Sequence, residues 1–239
     1  MNMFIEKGSP RKRGRPRGAT PQAGVTRDHL YATATRLIAQ RGYDATTLRD
    51  VARDARVSVG LLYRYFPSKQ AIVITLYDEL SAAFARRAAA MAPGKWRERF
   101  IFALQTSLDV LEPHRTALRA LIPVLVGDPE DGVFGAGSAF SRRRVQGVFE
   151  AAVAGASDRP QAPLEAPLGR LLYLVHLAVL LWWLLDRSPK QRATTALLAL
   201  TQQLLPSASL ALGLPPVRRF VIGIDALIRE GLFGNPTVA

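Results

Sequence analysis

Gly60, Leu61, Tyr63, Arg64 and Tyr65 crowd into two turns' worth of chain, and Lys69 follows them. Their chemistry is that of holding an anion. A glycine near a helix start lets a backbone approach a phosphate or a base edge closely. An arginine addresses guanine or a phosphate. Tyrosine hydroxyls donate to phosphates while their rings pack on a scaffold. At 100° per residue, Leu62 and Phe66 share one face, and Gly60 and Arg64 lie opposite, flanked by Leu61 and Tyr63. A face of glycine, cation and phenol over a hydrophobic base suits a duplex.

Other chemistries find little support. There is no cysteine among the 239 residues, so thiol nucleophiles, disulfides and cysteine metal sites are absent. The three histidines, His29, His114 and His176, are far apart and form no ligand-spaced pair, so no metal is expected. Neither a catalytic triad pattern, a phosphate loop nor a cofactor fingerprint occurs. The expectation is a non-enzyme without cofactor. The formal charge is +13, and it is uneven: residues 1–66 hold thirteen Lys/Arg against five Asp/Glu. That asymmetry favours a polyanionic partner.

Local signals predict the elements that hold this face. Leu30, Ala34, Leu37 and Ile38 give a helix ending at Gly42. A short helix is expected over 48–55, with Thr47 and Asp50 as its capping box. A second is expected over 59–66, capped by Ser58, stapled by Val57 to Leu62 and stopped by Pro67. Two short helices joined by a tight turn cannot bury much alone; their common use is to present the second to DNA. Ser68 then caps a long helix to about Ala92.

Residues 34–80 carry Gly42-Tyr43, Thr46-Thr47, Val51-Ala52, Ala55, Val57-Ser58, Gly60, Leu62-Tyr63, Tyr65-Phe66 and Ser68-Lys69. In these motifs the chain closely resembles the DNA-binding domain of TetR-family transcriptional repressors. Arg56 stands where that pattern has a turn glycine, so either it accepts an unfavourable backbone angle or the turn differs slightly. Val59 and Leu61 replace commoner polar or small residues. The resemblance implies DNA contacts at Thr47, Ser58, Val59, Gly60, Leu61, Tyr63, Arg64, Tyr65 and Lys69. It also implies an all-α, TetR-like homodimer whose larger helical domain binds an effector, and a repressor released from a palindromic operator by a small apolar ligand. The alternative is an architectural protein that coats A·T-rich DNA without an effector.

The expected organisation is a disordered basic arm over 1–24, a helix-turn-helix domain over 25–70, and an effector-binding and dimerisation domain over 71–239. Within the arm, Arg13-Gly14-Arg15-Pro16-Arg17 resembles the AT-hook: three cations on an extended, narrow backbone suited to an A·T minor groove. Downstream, helices are expected over 95–111, 114–126, 141–154, 168–186, 189–212 and 217–232, with no strand. Leu171–Leu185 is apolar nearly all round, but its 15 residues are short of the ~20 a bilayer needs. It reads as a buried helix of a cytoplasmic protein with no membrane partner. With the last helix, whose Val217, Phe220, Val221, Ile224, Leu227 and Ile228 oppose Arg218, Arg219, Asp225 and Arg229, it is the expected dimer seam. Trp96, Phe100, Tyr173, His176 and Trp183 are candidate pocket residues, with Phe102, Phe134 and Phe140 behind them. His176, alone in an apolar helix, is expected to be a hydrogen-bonded core residue.

Overall fold

A computed structural model describes residues 21–127 and 132–233, and every regular element in them is helical. The first helix, α1 (Pro21–Arg41), begins a few residues ahead of the expected boundary at 24. It ends at Gly42, whose φ of +90° is open to glycine and whose N–H closes on the Ile38 carbonyl at 2.9 Å. In α2 (Leu48–Asp54), Thr47 and Asp50 form the reciprocal box. The α2–α3 turn is made by Arg56 at φ +56°, and Val57 N–H reaches back to the Ala52 carbonyl at 3.0 Å. Helix α3 (Val59–Tyr65) starts on the Ser58 Oγ cap and stops where Phe66 turns extended before Pro67. Ser68 caps α4 (Lys69–Ala88).

Leu30, Leu37, Val51, Ala52, Leu62, Phe66 and Ile72 close a small core under α1 to α3. Helix α4 serves two cores: Ile72 belongs to this one, while Val73, Leu76, Leu80 and Phe84 belong to the larger one. The larger core is built by α4, α5 (Trp96–Leu111), α8 (Ala139–Ala154) and α9 (Glu165–Leu185), with Phe100, Leu104, Phe149, Leu172, Tyr173 and Trp183 inside. Helices α8 and α9 pack closely because Gly169 has no Cβ; one there would come within 2.8 Å of the Glu150 Cα.

Between α5 and α8 the expected single helix over 114–126 is two, α6 (Arg115–Ala120) and α7 (Ile122–Gly127). Pro123 is the physical reason, since it has no N–H for the ladder and fits only a first turn. The same rule moves the start of α9 ahead to Glu165: Pro167 sits in its first turn, where a missing N–H leaves no bond unmade. The last two helices, α10 (Arg192–Ala211) and α11 (Pro215–Gly231), meet at 110°.

Several arginines fasten helix ends. Arg115 donates to the Trp183 and Asp186 carbonyls at 2.8 Å, which ties α6 to the end of α9. Arg99 does the same for α8 through the Ala151 and Ala152 carbonyls. Asp225, expected on the polar face of the last helix, is instead buried. It forms a two-bond ion pair with Arg170 of α9, at 2.5 and 2.7 Å. The burial of Val221 and Asp225 turns that side of α11 inward, towards α9.

Candidate nucleic-acid interface and ligand cavity

The proposed reading helix α3 stands on Leu62 and Phe66, both buried, and presents the opposite face outward. Gly60, Tyr63 and Arg64 are exposed, and Val59 is about one-third exposed. A Cβ on Gly60 would meet nothing within 4 Å, so the space in front of it is open. No carboxylate among the described residues pairs with Arg64, leaving its guanidinium available. Leu61 and Tyr65 are half-buried, and Tyr65 packs on the small core.

The caps divide by what their hydroxyl hydrogens do. Thr47 Oγ1 donates to Asp50 Oδ2 at 2.6 Å, so its hydrogen is committed within the box. These bonds, first that from the Thr47 side chain, hold the Asp50 carboxyl below its usual range. Ser58 Oγ only accepts, from Leu61 N–H at 3.1 Å, and its own hydrogen has no partner among the described residues. Lys69 turns back: its Nζ donates to the Tyr43 carbonyl at 2.6 Å and lies 3.9 Å from the centre of the Tyr43 ring. One of its three N–H groups is thus taken, and the residue braces the domain. Arg13, Arg15 and Arg17 lie outside the described residues.

A second feature lies inside the larger domain, a cavity of about 400 Å³ with almost wholly apolar walls. That size suits small organic ligands. Of the five aromatic and histidine candidates, Tyr173 and His176 line it. Trp96, Phe100 and Trp183 do not: they are core residues outside its walls, and Trp183 Nε1–H is satisfied by Gln191 Oε1 at 2.8 Å. Phe134 lines the cavity, whereas Phe102 and Phe140 point outward.

His176 departs from the expectation of a fully hydrogen-bonded core residue. Its Nε2 lies 2.8 Å from Ser107 Oγ, but Nδ1 has no partner among the described residues. Burial pushes its pKa down to about 3, so the ring is neutral. Ser107 was not singled out from the sequence, although a signal existed. Trp96, Phe100, Ala103, Leu104 and Ser107 follow one another on the buried side of α5, so the serine occupies a core position. Arg142 also lines the cavity; its Nη1 donates to the Val133 and Gly135 carbonyls, and the guanidinium lies over Phe233.

The two features share neighbours. Leu118 of α6 and Ile122 and Leu125 of α7 form part of the cavity wall, and α6 packs across α1. Tyr31 of α1 contacts both cores and lies near the Glu79 carboxylate of α4. Burial and that carboxylate raise its phenol pKa.

The sequence model of the family described as "Bacterial regulatory proteins, tetR family" matches residues 30–76, which run from α1 through α3 into α4. Those residues are a tetR-family domain. Among curated relatives, the HTH-type transcriptional repressor NemR of Escherichia coli (strain K12) is 32% identical over 94 residues, or 38% of this chain and 47% of NemR. The HTH-type transcriptional regulator HbdR of Aromatoleum sp. (strain CIB) is 27% identical over 146 residues, 56% of this chain and 60% of HbdR. The chain therefore spans about half the length of the curated relatives it matches. Among solved structures, the regulator FadR of Bacillus subtilis, in complex with stearoyl-CoA, superposes with a TM-score of 0.60 at 18% identity, over 74% of this chain and 96% of FadR. A tetR-family regulator of Streptomyces coelicolor gives 0.57 at 19% identity, over 88% and 93%. The fold is that of the tetR family, a helix-turn-helix domain followed by a larger helical one.

Proposed function

We propose that this tetR-family protein is a sequence-specific transcriptional regulator, a cytoplasmic repressor that leaves a palindromic operator when a small apolar ligand fills its cavity. The observation that carries the reading is the outward face of α3, where Gly60, Tyr63 and an unpaired Arg64 stand on a buried base behind an N-cap with a free hydroxyl hydrogen. Val59 and Leu61 supply apolar surface for thymine methyls. Arg13, Arg15 and Arg17 extend the contact into a flanking minor groove.

One helix of seven residues reads only a few base pairs, so two copies are needed. Leu181, Trp182 and Leu185 of α9, Leu200 and Leu204 of α10, and Phe220 and Leu227 of α11 are all exposed. Large apolar residues concentrated in this way on neighbouring helices mark a surface covered by a partner, here a second copy. Helix α9 has the length and hydropathy to cross a bilayer, yet α8, α6 and α11 pack against it, as they do on a core helix. Ligand in the cavity shifts α6 and α7, and α6 passes the shift to α1, the floor of the reading domain.

The test is selection of bound fragments from random or genomic DNA, followed by a screen for compounds that release them. A recovered palindrome with half-sites about one helical turn apart, ~34–36 Å, supports the reading. Uniform coating of A·T-rich DNA, insensitive to every compound, would instead make this an architectural protein.

A further inference from the structure

The hydrogen count at Ser107 and His176 restricts what the cavity accepts. Both side chains are buried, and both line the cavity. Among the described residues, His176 Nε2 is the hydroxyl's one hydrogen-bond partner. A buried hydroxyl hydrogen needs an acceptor, so Ser107 donates and Nε2 accepts. A neutral imidazole that accepts at one nitrogen carries its hydrogen at the other. His176 is therefore the Nδ1–H tautomer, and that N–H has no acceptor. An unmatched buried donor is costly, and a ligand oxygen removes the cost.

The rest of the wall narrows the choice. Tyr173 stands one turn earlier on α9; burial raises its pKa, so its phenol stays protonated and can donate too. The Arg142 guanidinium is held by the Val133 and Gly135 carbonyls and by the Phe233 ring. What the inner cavity offers is neutral donors set in hydrocarbon. A carboxylate at His176 would lose its hydration against a neutral donor, because the cation of the lining, Arg142, is engaged by two carbonyls and a ring. An alcohol could accept from Nδ1–H, but its own hydrogen would then need one of the lining hydroxyls as acceptor, a second geometric demand that a carbonyl does not make.

We infer that the cavity takes an uncharged, largely apolar carbonyl compound, a ketone or ester whose oxygen accepts from His176 Nδ1–H. The inference rests on the reading of the cavity as an effector site and specifies the effector's chemistry. The experiment is isothermal titration of the full chain, without DNA, against four probes of equal chain length: 2-nonanone, 1-nonanol, nonane and nonanoate. The ketone is expected to bind about tenfold more tightly than the hydrocarbon, with the alcohol between them and the carboxylate weakest. His176→Phe keeps an aromatic ring of similar size and removes both nitrogens. It should bind nonane as the native chain does and lose the preference for ketone. The infrared carbonyl stretch of 2-nonanone bound to the native chain gives a readout that needs no variant, and it should lie below its position in hexane. Equal binding of ketone and hydrocarbon, tighter binding of nonanoate, a preference that survives His176→Phe, or a stretch at the hexane position would each overturn the inference. A ketone that binds but never releases operator DNA would count against the regulatory reading and leave this one standing; a ketone that fails to bind does the reverse.

Discussion

Arg56 is where the chain departs from its family's turn chemistry, and the departure has a size. The residue sits at φ +56° between α2 and α3. A side chain in the left-handed region costs ~1–2 kcal/mol through contact of its Cβ with the following carbonyl. Glycine removes that contact but adds unfolded-state freedom worth ~0.5–1 kcal/mol against alanine. Arg56→Gly should therefore be more stable than Arg56→Ala by ~0.5–1 kcal/mol. Alanine is the proper reference, because it keeps the Cβ and removes only the exposed guanidinium. The assay is urea unfolding followed by far-UV circular dichroism, with the two variants compared at equal protein concentration and unchanged m-value. For a chain of this size the gain corresponds to a midpoint shift of ~1–4 °C. Equal stabilities, or a less stable glycine variant, would refute the claim that the turn holds strain. If the strain is real, DNA affinity should move the other way: both variants lose a cation beside the reading helix, so both should bind operator with a shallower salt dependence.

Other perturbations test the remaining links. Arg64→Ala should weaken operator binding and relax preference at one position in each half-site by ~1–3 kcal/mol, read by competition with single-base operator variants; unchanged preference would assign Arg64 to phosphate. Asp225→Ala leaves the partly buried Arg170 with Glu150 at 3.8 Å as its nearest remaining acid, and should cost up to ~3 kcal/mol in urea unfolding, whereas Arg170→Met with Asp225→Leu should recover most of it. His176, whose folded pKa of about 3 lies below the unfolded 6.5, opposes folding in acid: stability is whole above pH 6.5 and falls as pH drops towards 3, by up to ~1.4 kcal/mol per pH unit, a slope His176→Phe should lack between pH 6.5 and 5. Leu204→Glu combined with Phe220→Glu places charge on the exposed faces of α10 and α11 and should yield a monomer by light scattering; a dimer that persists would move the seam elsewhere.

The reading domain was legible because its determinants are local. A threonine with an aspartate three residues on, a serine before an apolar turn and a proline after it each act within a few residues, and each cap appears as expected. The positive φ of Arg56 follows from the same geometry, since the tight turn demands it of whatever residue stands there. The larger domain was legible as helices and much less so as a site. Pro123 and Pro167 have opposite meanings depending on whether a first turn surrounds them, which composition alone does not reveal. Asp225 looked like a solvated charge because its partner lies 55 residues away on α9. Trp96, Phe100 and Trp183 are large enough to line a pocket and equally suited to fill a core; only the packing of α5 against α8 and α9 decides.

The same distinction separates a locally fixed N-terminal domain from a larger domain whose cavity the proposed function uses. Residues 42–68 are fixed by caps, a box and a stop that do not depend on the cavity. The link between the two lies in α6 and α7, each six residues long and below the length at which a helix stands alone. Their position is set by what they touch: the cavity on one side through Leu118, Ile122 and Leu125, α1 on another, and the end of α9 through Arg115. A short helix held only by its neighbours is the element that a ligand most readily displaces. On the proposed effector reading, the anchoring of Arg115 on the Trp183 and Asp186 carbonyls would limit that displacement to a pivot about the α9 end, working against the bond from Val133 N–H to the Leu125 carbonyl at 2.8 Å.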